Sequence, residues 1–185
     1  MLEQRLRDRP IFFVIGAPRC GTTAFTAALR AHPGICFSAP KEPHYFSRLP
    51  AGWSPDRLER DYFGVFFREC RDPAAMLGEG SVSYIYSDPA IEAIERHLPQ
   101  ARYIAMLRNP LEMIPSYHSR LVYILDEDEP DLARAWALQE ARAEGRHIPR
   151  RCRDWRMLQY RLVGRFPWSR FLQTANLTGS GHTGA

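Results

Sequence analysis

The residues best suited to chemistry form a glycine-bearing turn, Gly16-Ala-Pro-Arg-Cys-Gly-Thr-Thr23. Such a turn between a strand and a helix lets backbone N–H groups close around an anion at the helix N-terminus, where the macrodipole also favours negative charge. The spacing of Gly16 and Gly21 fits a Walker A loop, but the lysine of that loop is missing, which disfavours an ATPase or GTPase. The cation here is Arg19, so the turn suits a 5′-phosphate that carries a small anionic group. The alternative is an ordinary strand-turn-helix connection that Thr22 caps.

A second anion-binding group is predicted at Arg108, which follows an apolar strand-like run. Its guanidinium would emerge at the carboxyl edge of a parallel sheet, where open α/β folds bind ligands, and its planar fork suits a phosphate. Glu112 lies at i+4 from this arginine, so the alternative is a surface ion pair between the two side chains.

Three ionisable residues, Lys41, Glu42 and His44, lie close together between these motifs. A carboxylate or an imidazole can take a proton from a nucleophile, and a cation can neutralise charge on a transferring group. Glu42 or His44 suits the first task, and Arg19 or Lys41 suits the second. The alternative is an exposed turn with a hydrogen-bonded surface histidine. The remaining histidines have no ligand spacing, and no metal is predicted.

Alternating strands and helices should position these residues. The predicted strands are short and apolar and cover residues 11–15, 35–37, 75–78 and 102–107. The predicted helices cover residues 22–31, 89–98, 110–125 and 132–144. Asp88 is the expected N-cap of the second helix, and Pro115 should kink the third helix or mark its start. The first and last strands are expected to lie in the core, and the alternation predicts an α/β layered domain.

Two segments resemble the nucleotide-binding motifs of sulfotransferases that use 3′-phosphoadenosine 5′-phosphosulfate (PAPS). Phe13-Val-Ile-Gly-Ala-Pro-Arg-Cys-Gly-Thr-Thr23 is similar to their 5′-phosphosulfate-binding loop, and Met106-Leu-Arg-Asn-Pro-Leu-Glu-Met-Ile-Pro-Ser-Tyr117 is similar to their 3′-phosphate-binding motif. The resemblance implies a P-loop NTPase-like three-layer fold with a central, mostly parallel sheet. It also implies that the donor nucleotide is held by Arg19, Cys20, Gly21, Thr22, Thr23, Arg108 and Ser116.

A third segment, Ala39-Pro-Lys-Glu-Pro-His-Tyr-Phe46, resembles the Glu-x-His-Phe-Phe segment of the heparan-sulfate type of sulfotransferase. This resemblance implies that Glu42 is the general base, with His44 as a supporting residue and Arg19 stabilising the developing charge. Cytosolic sulfotransferases use a histidine as the base, so the choice between Glu42 and His44 stays open. Gly80 stands where heparan-type enzymes carry a lysine, which argues against an acidic-glycan acceptor.

The resemblance extends over about residues 10–163, so a sulfotransferase domain is predicted for residues 10–165. A C-terminal strand and a basic loop that such enzymes carry have no counterpart here, and we expect the domain to be incomplete at its C-terminus. Residues 166–185 include a Gly-, Ser- and Thr-rich stretch and are predicted to be irregular or disordered.

Composition limits the other possibilities. The 185 residues are 45% hydrophobic, enough for a real core, and carry a formal net charge of +4. The arginine-rich part near the C-terminus lacks a nucleic-acid-binding motif and is expected to be a solvated surface. No apolar run is long enough to cross a membrane, and a cytoplasmic location is expected. The four cysteines show no disulfide or metal spacing, so reduced thiols are expected.

The predicted function is transfer of a sulfuryl group from PAPS to a hydroxyl or amine acceptor, without a metal or nucleic acid. Two alternatives remain open: a non-catalytic nucleotide-binding remnant, and a small-molecule kinase with a P-loop.

Overall fold

The computed structural model describes residues 6–49 and 53–149. The chain divides into two compact units, Met1–Tyr117 and His118–Ala185. The strands are β1 (Ile11–Gly16), β2 (Ile35–Phe37), β3 (Met76–Glu79) and β4 (Arg102–Met106). They form one parallel sheet in the order β2-β3-β1-β4, which confirms the α/β prediction.

The helices connect these strands and continue into the second unit. They are α1 (Thr22–Arg30), α2 (Gly64–Phe66), α3 (Asp88–His97), α4 (Pro110–Tyr123), α5 (Leu132–Ala137) and α6 (Gln139–Ala143). Short 3-10 helices cover Leu6–Asp8, Phe46–Arg48, Pro55–Arg57 and Val82–Tyr86, and a π-helix covers Leu58–Phe63.

Strand β1 lies in the middle of the sheet because its side chains are apolar on both faces. Phe13 pairs in register with Glu79 of β3 on one side and with Tyr103 of β4 on the other. All four strands are parallel, so the segments that follow them leave from one edge of the sheet. The predicted juxtaposition of the residues after β1, β2, β3 and β4 is therefore realised in the first unit.

Four details differ from the sequence prediction. Strand β4 is an edge strand of the described sheet and only half-buried, because its one partner there is β1. Asp88 is the first residue of α3, and the N-cap position belongs to Ser87. Pro115 lies inside α4, which begins at Pro110 and continues through it. The helix predicted over residues 132–144 is divided at Leu138 into α5 and α6.

The core of the first unit is an aromatic cluster that sequence periodicity did not identify. Phe13 from β1 stacks on Tyr103 at 5.9 Å and meets Phe46 and Tyr84 edge to face. Tyr62 contacts Phe46 at 5.0 Å between ring centroids. Edge-to-face pairs of this kind add about 1 kcal/mol each to the free energy of burial. Residues 46–49 and 53–67 thereby contribute to the core although they form only short helical turns.

The expectation of four reduced cysteines is wrong for two of them. Cys36 of β2 and Cys70 form a disulfide with Cα atoms 5.7 Å apart, within the usual range. Their separation along the chain matches no disulfide pattern, and only the fold brings them together. Cys20 is a buried free thiol, and Cys152 lies outside the described residues.

The second unit contains a buried ion pair as its main polar feature. The Arg142 guanidinium donates to both carboxylate oxygens of Glu127, and each side chain is 2% exposed. The Glu127 carboxylate also accepts the backbone N–H groups of Asp128 and Glu129. Burial raises the pKa of Glu127, but the bonds from Arg142 and the backbone outweigh it and lower the pKa below its usual value. The predicted tail at residues 166–185 lies outside the described residues and stays a prediction.

Candidate functional site

The turn after β1 has the backbone geometry of an anion-binding loop. A Cβ atom at Gly16 would lie 2.8 Å from the Met106 carbonyl oxygen, so only glycine lets β1 end against β4. Gly21 is left-handed with a φ of 80°, and Arg19 is left-handed as well with a φ of 66°. The first N–H groups of α1, starting at Thr22, have no partner within the helix. The turn therefore presents helix N–H groups next to an exposed arginine.

A side-chain hydrogen bond joins the two sequence motifs. Nε of Arg19 in the turn donates to Oγ of Ser116 on α4 at 3.0 Å, although 97 positions separate them in the chain. Both residues belong to the first unit. The structure thus brings the arginine proposed for one end of a nucleotide into contact with the serine proposed for the other end.

Arg108 lies beside this turn but pairs with a carboxylate. Its Nε and Nη2 atoms are each 3.0 Å from Oε2 of Glu112, so the surface ion pair considered from sequence is formed. The Cys20 thiol lies against the Arg108 backbone. Burial raises the pKa of Cys20, and the Arg108 charge and backbone N–H oppose that rise. The Cys20 side chain is turned inward, and its backbone N–H donates to the Ala17 carbonyl oxygen at 3.3 Å.

Lys41 connects the turn to the Glu42 and His44 pair. Its Nζ donates to Oγ1 of Thr22 at 3.2 Å and to Oε1 of Glu42 at 2.6 Å. Oε2 of Glu42 lies 3.3 Å from Nε2 of His44. Thr22 is buried, whereas Thr23 is exposed on the next position of α1. All the predicted site residues therefore lie at the carboxyl edge of the sheet. Contacts join both the segment of Lys41 to His44 and the segment of Arg108 to Ser116 to the turn.

The electrostatics of Glu42 favour the ionised carboxylate. Partial burial raises its pKa, but hydrogen bonds and charge from His44 and Lys41 outweigh burial and lower the pKa below its usual value. Glu42 is therefore ionised at neutral pH, which is the form in which a general base accepts a proton. Its charge also acts on Tyr86, whose pKa is raised to about 12 by burial first and by Glu42 second.

Two serines after β3 hold His44, and sequence reasoning did not single them out for this purpose. His44 adopts a left-handed backbone with a φ of 52°. Its N–H donates to Oγ of Ser81 at 2.8 Å, and its Nδ1 lies 2.7 Å from Oγ of Ser83. The only sequence signal was the position of these serines directly after a predicted strand at the same sheet edge.

Glu79 is a second functional-looking carboxylate that the sequence did not identify. It is fully buried and accepts bonds from the Tyr62 hydroxyl at 2.8 Å, the Tyr84 hydroxyl at 3.1 Å and the Ser81 N–H at 3.1 Å. Burial raises its pKa to about 7, against the lowering effect of these bonds. The N–H of the next residue, Gly80, donates to the Lys41 carbonyl oxygen at 3.2 Å, and a Cβ added at Gly80 would lie 3.4 Å from Cε of Lys41.

Within residues 6–49 and 53–149, no three side chains among His, Cys, Asp and Glu gather in a way that could hold a metal ion. The helices of that same part of the chain are all too short or too polar to cross a bilayer.

The known proteins that resemble this chain are named as sulfotransferases. No protein-family model matches the chain. Carbohydrate sulfotransferase 15 of Mus musculus is 30% identical over 152 residues, covering 60% of this chain, and the membrane-associated sulfotransferase kil1 of Dictyostelium discoideum is 27% identical over 135 residues, covering 71% of it. Each match spans 27% of the relative's own length.

A solved structure has the same fold over a larger part of the chain. The crystal structure of a sulfotransferase from Alicyclobacillus acidocaldarius superposes with a TM-score of 0.62 at 27% identity. The superposition covers 84% of this chain and 64% of that one. The parallel sheet and these relatives agree: over the matched part, the chain is similar in sequence to sulfotransferases and has the fold of one of them.

Proposed function

We propose that this protein transfers a sulfuryl group from PAPS to a hydroxyl or amine acceptor. The observation that carries the proposal is the contact between Arg19 and Ser116, because it joins the two segments that resemble the 5′-phosphosulfate and 3′-phosphate motifs. One small molecule with anionic groups at both ends suits this arrangement.

The residues of the turn fit the 5′ end of the donor. Arg19 supplies a cation, and the N–H groups from Gly21 to Thr23 lie at the start of α1, where negative charge is favoured. The backbone of Cys20 belongs to the same turn. A sulfuryl group carries less charge than a phosphoryl group, so fixed cations can serve without a metal ion.

Arg108 and Ser116 fit the 3′-phosphate end. Arg108 is now held by Glu112, and both side chains are largely exposed, at 43% and 59%. Exposed ion pairs of this type are worth about 0–1 kcal/mol, so a phosphate can replace the carboxylate at little cost. Removing Glu112 by Glu112→Gln should therefore leave binding unchanged or tighten it by up to about fivefold.

The transfer step uses the cluster around Glu42. The acceptor oxygen or nitrogen attacks sulfur, and the new bond to sulfur forms as the bond between sulfur and the 5′-phosphate oxygen breaks. The acceptor proton passes to the Glu42 carboxylate, and 3′-phosphoadenosine 5′-phosphate leaves. We assign the stabilisation of charge to Arg19 and Lys41, and the bonds from Lys41 to Thr22 and Glu42 support this role for Lys41. His44 contacts Glu42 and supports it.

The Cys36–Cys70 disulfide bears on the location of the protein. Disulfides persist mainly in oxidising compartments, which conflicts with the expected cytoplasmic location. Counting free thiols on protein taken from the cytoplasm decides between the two. If Cys36 and Cys70 are oxidised in protein from the cytoplasm, the disulfide is compatible with a cytoplasmic location. If they are reduced there, the disulfide forms only in another compartment.

Calorimetry and transfer assays together test the proposed function. We expect 3′-phosphoadenosine 5′-phosphate to bind and ATP with magnesium not to bind. Transfer of labelled sulfuryl from PAPS to a panel of alcohols and amines should occur in the wild type and fall at least about 100-fold in Glu42→Gln. Binding without any transfer would instead favour a non-catalytic nucleotide-binding protein, and magnesium-dependent ATP turnover would favour a kinase.

A further inference from the structure

A chain of polar contacts runs from the Glu42 carboxylate into the protein interior. Oε2 of Glu42 lies 3.3 Å from Nε2 of His44, and Nδ1 of His44 lies 2.7 Å from Oγ of Ser83. Oγ of Ser83 lies 2.8 Å from Oγ of Ser47. Both serines are buried, with 7% and 8% of their surface exposed. The chain thus begins at the candidate base and ends at two hydroxyls shielded from water.

The direction of each bond follows from which groups can donate. An ionised carboxylate only accepts hydrogen bonds, and Lys41 already donates to the other oxygen of Glu42. Nε2 of His44 must therefore carry a proton and donate to Glu42. In the neutral imidazole Nδ1 is then an acceptor, so the Ser83 hydroxyl donates to it, and Ser47 can donate to Ser83 in turn.

The backbone of His44 is held from the same segment. Its left-handed conformation is unfavourable for a residue with a side chain. The bond from the His44 N–H to Oγ of Ser81 stabilises it, and Ser81 is anchored through its own N–H by the buried Glu79. Ser81 and Ser83 thus fix the main chain and the ring of the same histidine.

We propose that Ser83, supported by Ser47, is a positioning residue that fixes the Nε2–H tautomer of His44 and directs it at Glu42. The proposal rests on the proposed function for the role of Glu42 as base. The hydroxyl of Ser83 is hydrogen-bonded to His44 and Ser47, so it acts on the reaction through His44.

The expected consequence concerns the ionisation of Glu42. The groups that face this carboxylate are the Lys41 ammonium, the His44 imidazole and the Tyr86 phenol. If the imidazole loses its anchor, its bond to Glu42 weakens while Lys41 and Tyr86 stay in place. The pKa of Glu42 should then rise, because one of the interactions that lower it is weakened.

Nuclear magnetic resonance on the full chain tests this without an acceptor substrate. ¹⁵N-labelled histidine, assigned with His44→Gln, should show Nε2 protonated and Nδ1 as a hydrogen-bonded acceptor at neutral pH. ¹³C-labelled glutamate carboxyls, assigned with Glu42→Gln, report the titration of Glu42. In Ser83→Ala the Nδ1 signal should lose its hydrogen-bond shift, and Glu42 should titrate at higher pH.

Matched variants separate positioning from general damage. Ser83→Thr keeps the hydroxyl and should restore both signals, and Ser47→Ala should give a smaller effect than Ser83→Ala. Ser87→Ala removes another buried serine of the same segment, with no side-chain cap bond, and should change neither signal. Thermal unfolding of each variant identifies any that are not folded. If Ser83→Ala is one of them, the wild-type tautomer of His44 and the effect of Ser47→Ala carry the test.

Two results would overturn the inference: a proton on Nδ1 of His44 in the wild type, or a Glu42 titration in Ser83→Ala identical to that of the wild type. Neither depends on nucleotide binding. A wild type that fails to bind 3′-phosphoadenosine 5′-phosphate refutes the proposed function while the resonance measurements still decide the role of Ser83.

Discussion

Replacing the buried Glu79 by glutamine should change how the stability of the protein depends on pH. Glu79 is fully buried at the end of β3 and accepts bonds from Tyr62, Tyr84 and Ser81. Burial raises its pKa from the usual 4.5 to about 7 in spite of these bonds. The folded state therefore favours the neutral carboxylic acid more strongly than the unfolded chain does.

The magnitude follows from this pKa difference. At about 1.4 kcal/mol per pH unit, the interval from 4.5 to about 7 corresponds to about 3 kcal/mol of unfolding free energy. Because the folded pKa is the higher one, this stability is fully present below pH about 4.5 and is lost as the pH rises through about 7. Glu79→Gln cannot ionise and should lack this dependence.

Urea unfolding between pH 4 and 8, followed by tryptophan fluorescence, measures the difference. The stability of the wild type relative to Glu79→Gln should fall by about 3 kcal/mol across that range. The exposed Glu69→Gln is the matched control and should show a nearly constant difference. A pH-independent gap between wild type and Glu79→Gln would refute the reasoning, since it would mean that Glu79 titrates alike in both states.

Three further variants test other parts of the fold. Asp131→Ala removes the side-chain N-cap of α5 and should cost about 1 kcal/mol in urea unfolding, most of which Asp131→Asn should recover. Cys36→Ser removes the disulfide to Cys70 and should cost about 3–4 kcal/mol for a loop with a separation of 34, with little further effect of reductant on the variant. Glu127→Ala leaves the buried Arg142 without its carboxylate and should cost about 3–5 kcal/mol.

Each of these variants has an outcome that contradicts its premise. Equal stability of Asp131→Ala and wild type would mean that water replaces the cap without loss. If reductant leaves the unfolding free energy of the wild type unchanged, the disulfide does not form in solution. A stable Glu127→Ala would show that Arg142 finds another partner.

The sequence predicted the elements whose signals are local. Residues 11–15 read as a buried parallel strand because apolar side chains occupy both faces, and the structure places β1 in the middle of the sheet. The turn from Gly16 was predicted from its glycine spacing, and the strand before Arg108 was predicted from its apolar run. Both signals are local. Parallel strands deliver their following residues to one edge, so the approximate position of the site could also be predicted.

The parts that were missed depend on contacts between distant segments. The short helical turns of residues 46–48 and 55–66 have no clear period. Phe46 and Tyr62 are recognised as core only once Phe46 packs on Phe13 and Tyr62 packs on Phe46. Cys36 and Cys70 meet only in the folded chain. Strand β4 has the composition of a core strand but lies at an edge of the described sheet, which its own sequence does not reveal.

The support behind the candidate base was equally invisible from sequence. Ser81 and Ser83 are small polar residues of a kind common on any surface. Their role is recognised only in the folded chain, where the left-handed backbone at His44, in the segment after β2, brings this histidine within hydrogen-bond distance of both serines. The Arg108–Glu112 pair is the opposite case, since its i+4 spacing was visible and the pair is formed.

The central claim is that one nucleotide joins the turn after β1 to the segment after β4, and a binding comparison tests it most directly. Calorimetry would measure 3′-phosphoadenosine 5′-phosphate and adenosine 5′-phosphate on the wild type, Arg19→Ala and Arg108→Ala. We expect the wild type to prefer the 3′-phosphorylated nucleotide at least about tenfold. Arg108→Ala should lose this preference, and Arg19→Ala should weaken the binding of both nucleotides alike. Arg108→Ala that weakened both nucleotides equally, with the preference intact, would contradict the central claim.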